Sequence, residues 1–325
     1  MDDRWMAACA RLAARARPIA HPNPGVAALI VRKDASGERV IARGWTRPGG
    51  RPHAEAAALA QLPEGGARAA TIYVTLEPCA HTSNRGPACS DLIIAARPAR
   101  VVVGVYDPDP RTAGEGVERM QRAGIEVTVL DDRASSASLN GYLRRTQDRR
   151  AHITLKLATS LDGAIALADG SSQWITGEIA RAHVHSQRAR YDAILVGGAT
   201  WRKDRPRLDV RLPGIEARSP KRMVLTRGVA PDDVAVINRP DQIAQLADIQ
   251  YIYVEGGAGA ASSLLAADLV DELHLYRAPI LIGSGKSALG DIGLGDLASA
   301  HGRWQLSERR QLGSDVFESY QRDRN

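Results

Sequence analysis

The sequence predicts two α/β domains in succession, and three observations lead to this prediction. The chain has 325 residues, which corresponds to about two domains at roughly 150 residues each. In both halves, short apolar runs typical of buried strands alternate with stretches of helical spacing, the order that builds a sheet covered by helices. Between the halves, the highly charged residues 143–150 (LRRTQDRR) mark a boundary, either as a short linker or as an exposed helix end.

The first half begins with a helix and continues as alternating strands and helices. Trp5, Cys9, Leu12 and Ala16 repeat at helical spacing and predict one buried helix face. The turn Pro22-Asn23-Pro24-Gly25 then leads into the first strand. The other predicted elements are, in order, strands at 26–31 and 40–45, a helix from His53, a strand at 71–76, a helix near Ser90, a strand at 101–105, a helix near Gly116 and a strand at 126–129.

The second half shows the same alternation and includes a glycine turn. Its predicted elements are a strand at 153–158, a helix at 178–190 and strands at 193–196, 223–226 and 251–254. The last of these strands runs into Gly256 and Gly257, and a helix follows. Backbone N–H groups at such a strand–turn–helix junction can hold a pyrophosphate. Because the turn is not a full G-x-G-x-x-G, a tight turn without a ligand remains an alternative.

Composition excludes several classes of protein. Apolar residues make up 44% and charged residues 25% of the chain, close to globular averages, which argues against disorder, collagen-like repeats and a coiled-coil rod. The net charge of 43 − 37 = +6 is spread thinly, which suits phosphorylated small substrates at least as well as nucleic acid. Aromatic residues make up only 4%, and Phe317 is the single Phe, so binding of unpaired bases by stacking is disfavoured.

Cysteine usage and hydropathy predict a cytoplasmic protein without a membrane partner. Three cysteines are few and odd in number, which favours a reducing compartment over a disulfide framework. No apolar run approaches the roughly 20 residues that a membrane helix needs. The Arg/Ala-rich start contains Asp2 and Asp3 and no Ser-rich stretch, unlike a transit peptide.

The residues His53, Cys79 and Cys89 form a candidate zinc site. One His and two Cys are a complete set of protein ligands for a catalytic Zn²⁺ whose fourth position is open to water. Helix starts follow these residues, and the positive end of a helix favours thiolates. Zinc lowers the pKa of bound water to about 7. Glu55, two residues after His53, suits the proton shuttle of a hydrolytic deamination.

The spacing of these ligands leaves other interpretations open. Zinc deaminases carry H-x-E followed by P-C-x-x-C, whereas the second cysteine here lies 89 − 79 = 10 positions after the first. A structural zinc site and ordinary buried residues are therefore alternatives. The combination of H-A-E, T-L-E-P-C and a further Cys favours the catalytic site, because a structural site has no need of Glu55 beside its ligand.

Specific motifs extend through both halves of the chain. Those in the first half are Asn23 in its Pro-Asn-Pro turn, His53-Ala54-Glu55, residues 73–79 (YVTLEPC), His81, Arg85-Gly86-Pro87, Cys89 and residues 107–110 (DPDP). Those in the second half are Lys156, residues 160–163 (SLDG), 172–177 (SQWITG), 192–197 (DAILVG), Thr200, Asp204, Pro206, Leu208, Arg211 and 255–257 (EGG). In this order they closely resemble the family of bifunctional riboflavin-biosynthesis deaminase/reductases.

This resemblance implies a fold and an activity for each half. The N-terminal half would be a cytidine-deaminase-like three-layer α/β/α domain that removes the 2-amino group of 2,5-diamino-6-ribosylamino-4(3H)-pyrimidinone 5′-phosphate. The C-terminal half would be a dihydrofolate-reductase-like α/β domain that uses NADPH to reduce the ribose of 5-amino-6-(5-phosphoribosylamino)uracil to ribityl. We expect the deaminase domain at residues 1–147 and the reductase domain at 148–325.

The resemblance also implies binding residues. The NADPH contacts would be Ala158, Trp174, Thr200, Asp204, Gly257, Ala258 and Gly259. The substrate contacts would be Asn23, Ser172, Arg188, Leu208, Arg211 and Glu255. Among these, Arg188 and Arg211 carry the forked donors that suit the 5′-phosphate.

The chain departs from the family pattern in several places. The family usually has a His near Thr46 and another near Ala57, and the segment between the two cysteines is one residue longer here. Residues 201–203 (WRK) and Arg205 flank Asp204, where the family usually carries a small or apolar stretch and a second Asp. The resemblance therefore does not define the substrate contacts around His81 in the lengthened segment.

We accordingly expect a bifunctional enzyme that uses zinc and NADPH on a phosphorylated pyrimidine, without a nucleic-acid partner. One alternative is a tRNA or nucleobase deaminase with an unrelated C-terminal module. A second is a reductase whose zinc domain is a non-catalytic scaffold, and a third is a nucleic-acid-binding protein, on charge alone. The sequence leaves the formation of homo-oligomers open.

Overall fold

The apolar strands of the two halves pair into one large sheet in each unit of the chain. A computed structural model describes residues 2–81, 85–229 and 234–324. The chain divides into the units Met1–Arg149 and Arg150–Asn325. In each unit helices accompany a sheet, so the predicted α/β class is confirmed. None of the helices described is both long enough and apolar enough to cross a membrane.

The first unit contains a five-stranded sheet of order β2-β1-β3-β4-β5. Its elements are α1 (Asp2–Ala13), β1 (Ala27–Asp34), β2 (Gly37–Trp45), α2 (Ala54–Leu59), β3 (Ala70–Leu76), α3 (Cys89–Ala96), β4 (Arg100–Val105), α4 (Glu115–Arg122), β5 (Glu126–Val129), α5 (Arg133–Ser138) and α6 (Asn140–Asp148). Strand β1 pairs antiparallel with β2 and β3, whereas β3, β4 and β5 are parallel.

Both faces of this sheet are buried, which gives the three layers. Ala27 and Leu29 of β1 pack with Trp5 of α1 on one face. Ala28 and Ile30 point to the other face and join the core that includes residues of α2, α3 and α4. Burial on both faces explains why these strands appear in the sequence as continuous apolar runs.

Two details at the ends of this unit refine the sequence prediction. Helix α1 ends at Ala13, and Ala16 is buried from the turn that follows. Pro18 lies two residues further on and cannot donate an N–H to a continuing helix. At the other end, residues 143–148 belong to α6, and Arg149 closes the helix in a left-handed conformation with φ of 56°. The charged boundary is thus a helix end.

The second unit contains an eight-stranded sheet of order β10-β9-β8-β11-β6-β12-β15-β14. Its elements are β6 (His152–Thr159), β7 (Ala164–Ala166), α7 (Glu178–Arg188), β8 (Ala193–Gly197), α8 (Gly198–Asp204), β9 (Lys221–Leu225), β10 (Ala235–Ile237), β11 (Tyr251–Val254), α9 (Ala258–Ala266), β12 (Glu272–Arg277), β13 (Lys286–Ser287), β14 (Trp304–Leu312) and β15 (Asp315–Arg322). The strands from β10 to β12 are parallel, and β15 and β14 are antiparallel additions.

The parallel part of this sheet positions the second site. Strands β8, β11 and β6 are neighbours, so their carboxyl ends lie side by side. Ligands of such sheets bind outside the carboxyl ends of the strands. The segments that follow these ends carry the predicted residues Thr200 and Glu255, while Ala158 lies near the end of β6.

Candidate active sites

The three candidate zinc ligands converge in the first unit. His53 precedes α2, Cys79 follows β3, and Cys89 is the first residue of α3. The His53 Nδ1 atom lies 3.3 Å from the sulphur of Cys89 and 3.6 Å from that of Cys79. The three donor atoms all lie within 4.8 Å of one another.

These distances fit zinc. Zn–S bonds of about 2.3 Å and Zn–N bonds of about 2.0 to 2.1 Å at the tetrahedral angle place N and S ligand atoms about 3.6 Å apart. The observed separations of 3.3 and 3.6 Å are close to that value. Three such ligands leave one tetrahedral position for water or substrate, as in a catalytic site.

Hydrogen bonding prepares one of the thiols for metal binding. Contacts from Cys89 and His53 lower the pKa of Cys79 to about 4, so this sulphur is a thiolate at neutral pH. The backbone N–H of Cys89 donates to it at 3.3 Å. The neighbouring Cys79 sulphur and burial raise the pKa of Cys89. A metal cation at this point would favour the deprotonated form of both.

Glu55 lies in the first turn of α2, beside the cluster. Its side chain lines the same cavity as His53 and Cys79, and the residue is only 4% exposed. Burial raises the pKa of the Glu55 carboxyl, and the nearby His53 opposes that shift. A carboxyl whose pKa is raised toward neutral exchanges protons more effectively at pH 7, as a proton shuttle must.

Asn23 contacts the far side of the histidine ligand. Its side-chain amide lies 3.1 Å from His53 Nε2 and 3.3 Å from the Gly50 carbonyl oxygen. Gly50 has φ of +84°, and a Cβ there would lie 2.5 Å from Asn23 Cγ, so this close approach requires glycine. The predicted substrate contact Asn23 therefore also orients a metal ligand, although it lines the cavity as well.

A cavity of about 270 Å³ opens beside the cluster. Its polar and charged lining residues include Asn23, Thr46, Arg51, His53, Glu55, Cys79, His81, Arg85, Asp107, Asp109, Arg111 and Tyr142. Three of these are arginines, which suits a phosphorylated substrate. Thr46 lies near the place where the resembled family usually has a His, and its hydroxyl accepts a hydrogen bond from the Val26 N–H at 3.0 Å.

Two acidic residues of the DPDP motif form one wall of this cavity. Asp107 accepts hydrogen bonds from the Tyr142 hydroxyl at 2.7 Å and from the Asp109 N–H at 3.0 Å. Burial raises the pKa of Asp107. Arg111 donates to both carboxylate oxygens of Asp109. Tyr142 comes from α6, far along the chain, and sequence reasoning did not find it because no local motif marks it.

The lengthened segment between the two cysteines is described only in part. His81 lines the cavity, and its Nδ1 atom is buried without a hydrogen-bond partner among the residues that the structure describes. The Arg85 guanidinium donates to the Gly49 carbonyl oxygen at 2.6 Å. Residues 82–84, part of the segment for which substrate contacts were left open, lie outside the described residues.

The second unit contains a larger cavity, of about 640 Å³, at the carboxyl ends of its parallel strands. Every reductase residue implied by the resemblance lines this cavity except Gly259. These lining residues are Ala158, Ser172, Trp174, Arg188, Thr200, Asp204, Leu208, Arg211, Glu255, Gly257 and Ala258. The structure therefore brings together residues that are up to 100 positions apart in the sequence, from Ala158 to Ala258.

Arg188 and Glu255, expected as two separate substrate contacts, bind each other. The Nε and Nη2 groups of Arg188 donate to the two carboxylate oxygens of Glu255 at 2.6 and 2.9 Å. Nη1 donates to the Asp209 carbonyl oxygen at 2.8 Å. Burial alone would raise the pKa of Glu255, but the guanidinium outweighs burial and lowers it. Arg211, by contrast, is half exposed and lies 3.5 Å from the Asp209 carboxylate.

Lys156 is a cavity residue to which the sequence analysis gave no role. Its side chain lines the cavity from β6, next to the predicted NADPH contact Ala158. Burial lowers the pKa of its ammonium group, and Glu255 opposes that shift. One signal was available, because Lys156 is the single charged residue in the strand segment ITLKLAT.

The glycine turn has the predicted strand–turn–helix geometry. Gly257 precedes α9, and its N–H donates to the Thr200 hydroxyl at 3.2 Å. A Cβ on Gly256 would lie 2.8 Å from Ala260 Cβ, so the close packing of strand and helix requires glycine there. Two predicted NADPH contacts, Gly257 and Thr200, are therefore hydrogen-bonded to each other.

Two other predicted contacts have unusual settings. Trp174 is 65% exposed at the cavity, and the Arg181 guanidinium lies 4.7 Å from its ring centre. Leu208 is buried with φ of +56°, in the left-handed region that a leucine rarely adopts. Such strained backbone tends to occur at functional sites.

Comparison with known proteins gives the same organisation. Residues 1–105 match the family model for the cytidine and deoxycytidylate deaminase zinc-binding region, and residues 151–317 match that of the RibD C-terminal domain. The second match argues against an unrelated C-terminal module. The riboflavin biosynthesis protein RibD of Escherichia coli is 38% identical, over 97% of this chain and 98% of that protein. Its counterpart in Mycobacterium tuberculosis is 36% identical, over 91% and 90%.

Solved structures are similar over the full length. Acinetobacter baumannii RibD superimposes with a TM-score of 0.84 at 32% identity, covering 99% of both chains. A diaminohydroxyphosphoribosylaminopyrimidine deaminase/5-amino-6-(5-phosphoribosylamino)uracil reductase from Thermotoga maritima has a TM-score of 0.85 at 29% identity, again with 99% coverage of both chains.

Proposed function

This chain belongs to the RibD family of bifunctional deaminase/reductases in riboflavin biosynthesis, and from that membership we propose which of its residues carry each reaction. The observation that carries the proposal is that each unit has its own cavity lined with the chemical groups for one reaction. We assign deamination to residues 1–147 and reduction to residues 148–325, a boundary that falls just before Asp148, the last residue of α6.

His53, Cys79 and Cys89 would hold the zinc in the deaminase. A zinc ion bound there would supply Lewis-acid activation of the water that replaces the 2-amino group. Glu55 would take the two protons of that water in turn and deliver one to the ring nitrogen and the other to the departing ammonia. Its buried position beside His53 and its raised pKa support this role. Asn23 keeps the imidazole oriented, as outer partners of metal-bound histidines do.

The rest of the deaminase cavity positions the substrate. Arg51, Arg85 and Arg111 provide positive charge for the 5′-phosphate. Asp107, held by Tyr142, and the neighbouring Asp109 present acceptors that suit the amino groups of a pyrimidine. A cavity of about 270 Å³ is near the lower end of the range for small-molecule sites, which suits one such nucleotide-like ligand.

In the reductase, NADPH supplies the hydride for C1′ of the ribose. Ala158, Trp174, Thr200, Asp204 and the turn 257–259 would bind the coenzyme, and the N–H groups at the start of α9 would suit its phosphates. Ser172, Leu208 and Arg211 bind the pyrimidine ribose phosphate. Arg188 and Glu255 are paired in the wall of the same cavity and would also contact the substrate, Arg188 through the N–H groups that Glu255 and Asp209 leave free.

The reduction also consumes a proton, and Lys156 is placed to donate it. It is a buried ammonium group in the cavity wall with a lowered pKa, which makes it a better acid than an exposed lysine. In the same wall, the Glu255 carboxylate raises the pKa of Lys156 and the Arg188 guanidinium lowers it. We assign Lys156 the role of proton donor to the sugar as the hydride arrives.

The partners and location follow from the same sites. The enzyme acts on small phosphorylated pyrimidines, and we propose that it has no nucleic-acid or membrane partner. Metal binding through Cys79 and Cys89 requires reduced sulphurs, which supports a cytoplasmic location. Whether the chain forms a homo-oligomer stays a question for experiment.

The test uses the purified full-length chain with zinc and 2,5-diamino-6-ribosylamino-4(3H)-pyrimidinone 5′-phosphate. Without NADPH, we expect one ammonia per substrate and no ribityl product. With NADPH, we expect oxidation of one NADPH per substrate and a ribityl product, identified by chromatography with mass spectrometry. NADPH oxidation that precedes ammonia release, or the absence of both reactions, would contradict the assignment.

A further inference from the structure

His185 lies in the wall of the reductase cavity, next to the two arginines at the substrate end. It is three residues before Arg188 on α7, a spacing that places both side chains on one face of the helix. Arg211 comes from the segment that follows α8. All three residues line the cavity. The resemblance to the family assigns no role to His185.

The Nδ1 atom of His185 lies between a backbone donor and a backbone acceptor. It is 3.2 Å from the Arg211 nitrogen and 3.1 Å from the Asp209 carbonyl oxygen. A ring nitrogen can satisfy only one of them at a time, depending on whether it carries a proton. The Asp209 carbonyl already accepts from Arg188 Nη1 at 2.8 Å. The Arg211 N–H is fixed by the backbone and directed at Nδ1. In the neutral ring, Nδ1 accepts from this N–H, and the proton resides on Nε2.

The other ring nitrogen is available for a ligand. Over residues 2–81, 85–229 and 234–324, the structure gives Nε2 of His185 no hydrogen-bond partner. Because the residue lines the cavity, its Nε2–H is a donor for an anion bound there. Two nitrogens of Arg188 already donate to Glu255. Arg211 alone would therefore bind a phosphate only weakly.

The charges that face His185 come from three elements. Arg188 is on its own helix, Arg211 and the Asp209 carbonyl are in the segment 209–211, and Glu255 follows β11. Burial and the two guanidiniums lower the pKa of His185, while the Asp209 carbonyl and Glu255 oppose that shift. The ring is therefore neutral at pH 7 in the absence of substrate. A phosphate dianion beside the ring reverses this balance, since negative charge favours the protonated imidazole.

We propose that His185 is a ligand of the substrate's 5′-phosphate, together with Arg188 and Arg211, and that it takes up a proton from solvent when the phosphate binds. In the protonated ring, Nε2–H donates to the phosphate and Nδ1–H donates to the Asp209 carbonyl. This proposal rests on the proposed reductase function and adds a residue and a pH dependence to it.

Proton uptake on binding makes the Michaelis constant depend on pH in a defined direction. A phosphate monoester has a second pKa of about 6, so the substrate is a dianion above about pH 6.5. Above that pH, binding takes up one proton from solvent, and the proton concentration falls tenfold per pH unit. KM therefore rises by up to about tenfold per pH unit. We expect KM for NADPH not to share this dependence, because His185 is not among the residues assigned to the coenzyme.

The experiment compares wild type with His185→Gln and His185→Asn in the full-length enzyme. Gln places an amide near the position of Nε2 but does not titrate, and Asn keeps a polar group near Nδ1 but cannot reach the phosphate. His301→Gln, at an exposed histidine of the same unit, is the matched control. The substrates are the deaminated pyrimidine ribose phosphate and its dephosphorylated form, with NADPH oxidation measured from pH 6.5 to 8.5.

We expect the wild-type KM for the phosphorylated substrate to rise at least fivefold over this range. Both His185 variants should show a nearly constant KM, about tenfold above wild type at pH 6.5, with kcat within about twofold. His301→Gln should follow wild type. With the dephosphorylated substrate, wild type and variants should have the same KM at every pH.

Two results would overturn the proposal. One is a KM in the His185 variants that rises with pH as steeply as in wild type; the other is a loss of kcat with KM unchanged. Ammonia release by the same preparations and the midpoint of thermal unfolding show whether each variant is folded. Arg211→Ala separates this proposal from the reductase assignment. If wild type does not reduce the substrate, the assignment itself fails. If Arg211→Ala weakens reduction and the His185 variants behave as wild type, only the role of His185 is wrong.

Discussion

Arg188 and Glu255 form one buried ion pair in the wall of the reductase cavity, with two hydrogen bonds of 2.6 and 2.9 Å. Only 11% of the Arg188 side chain and 10% of the Glu255 side chain are exposed. The pair joins α7 to the end of β11, so it connects a helix to the strand that precedes the glycine turn. The positions of both charges are therefore fixed before a ligand arrives.

Arg188→Ala should destabilise the second unit strongly. Removing one member of a buried pair leaves the other charge without compensation, which costs about 3 to 5 kcal/mol of unfolding free energy. Urea unfolding followed by circular dichroism measures this loss. The control is Arg310→Ala, which breaks the exposed pair with Glu308 and should cost about 1 kcal/mol or less. Equal losses in the two variants would show that burial does not strengthen the Arg188 pair.

The same pair should make stability depend on acid pH. The pKa of Glu255 is lowered from its ordinary value of 4.5 in the folded protein, so its contribution is complete above about pH 4.5. That contribution is lost as the pH falls through the folded-state pKa. The difference in unfolding free energy between wild type and Glu255→Gln should therefore be constant from pH 7 to 5 and shrink below pH 4.5. A difference that grows on acidification would contradict the direction of the shift.

Removal of both cysteine ligands should abolish zinc binding. We expect about one zinc per wild-type chain by metal analysis, because three N/S ligands converge at suitable distances. The double variant Cys79→Ser/Cys89→Ser should lose it. Cys9→Ser is the control, since Cys9 lies on the buried face of α1 and donates only to backbone carbonyls. Full retention of zinc by the double variant would place the metal elsewhere.

Glu55→Gln should keep the zinc and lose most of the deamination. The amide fills the same space but cannot move a proton, so the rate of ammonia release should fall by about 10²-fold or more. Glu64→Gln, at an exposed glutamate of the same unit, should release ammonia at the wild-type rate. Near-normal ammonia release by zinc-loaded Glu55→Gln would assign the proton transfer to another group.

Sequence patterns predicted the strands that are buried on both faces and also the more exposed β2 and β5, but they missed several strands of the second unit, most of them only partly buried. Strand β11 was predicted at 251–254, the bounds that the structure shows, because it consists of apolar and aromatic residues. Strand β14 (WQLSERRQL) was not predicted, because it lies at the edge of its sheet and is largely exposed. An edge strand needs no apolar run, and charges there discourage pairing with other chains.

The site residues also differ in whether they could be predicted from the sequence. His53, Cys79 and Cys89 could be identified from the sequence because zinc chemistry requires these residue types beside a proton shuttle. The pairing of Arg188 with Glu255 depends on how a helix and a strand pack, and no local pattern encodes it. Tyr142 and His185 likewise obtain their positions from tertiary contacts. The contacts of Tyr142 and His185 could therefore not be predicted from the sequence.

The central claim is that one chain carries two independent sites, and reciprocal variants test it most directly. Arg211→Ala should release ammonia at the wild-type rate, while its reductase kcat/KM falls by roughly ten- to a hundredfold through loss of a charged phosphate contact. Glu55→Gln should lose deamination and reduce previously deaminated substrate as wild type does. If either variant lost both activities while it stayed folded and zinc-loaded, the two sites would not be independent, and the assignment of one reaction to each unit would be wrong.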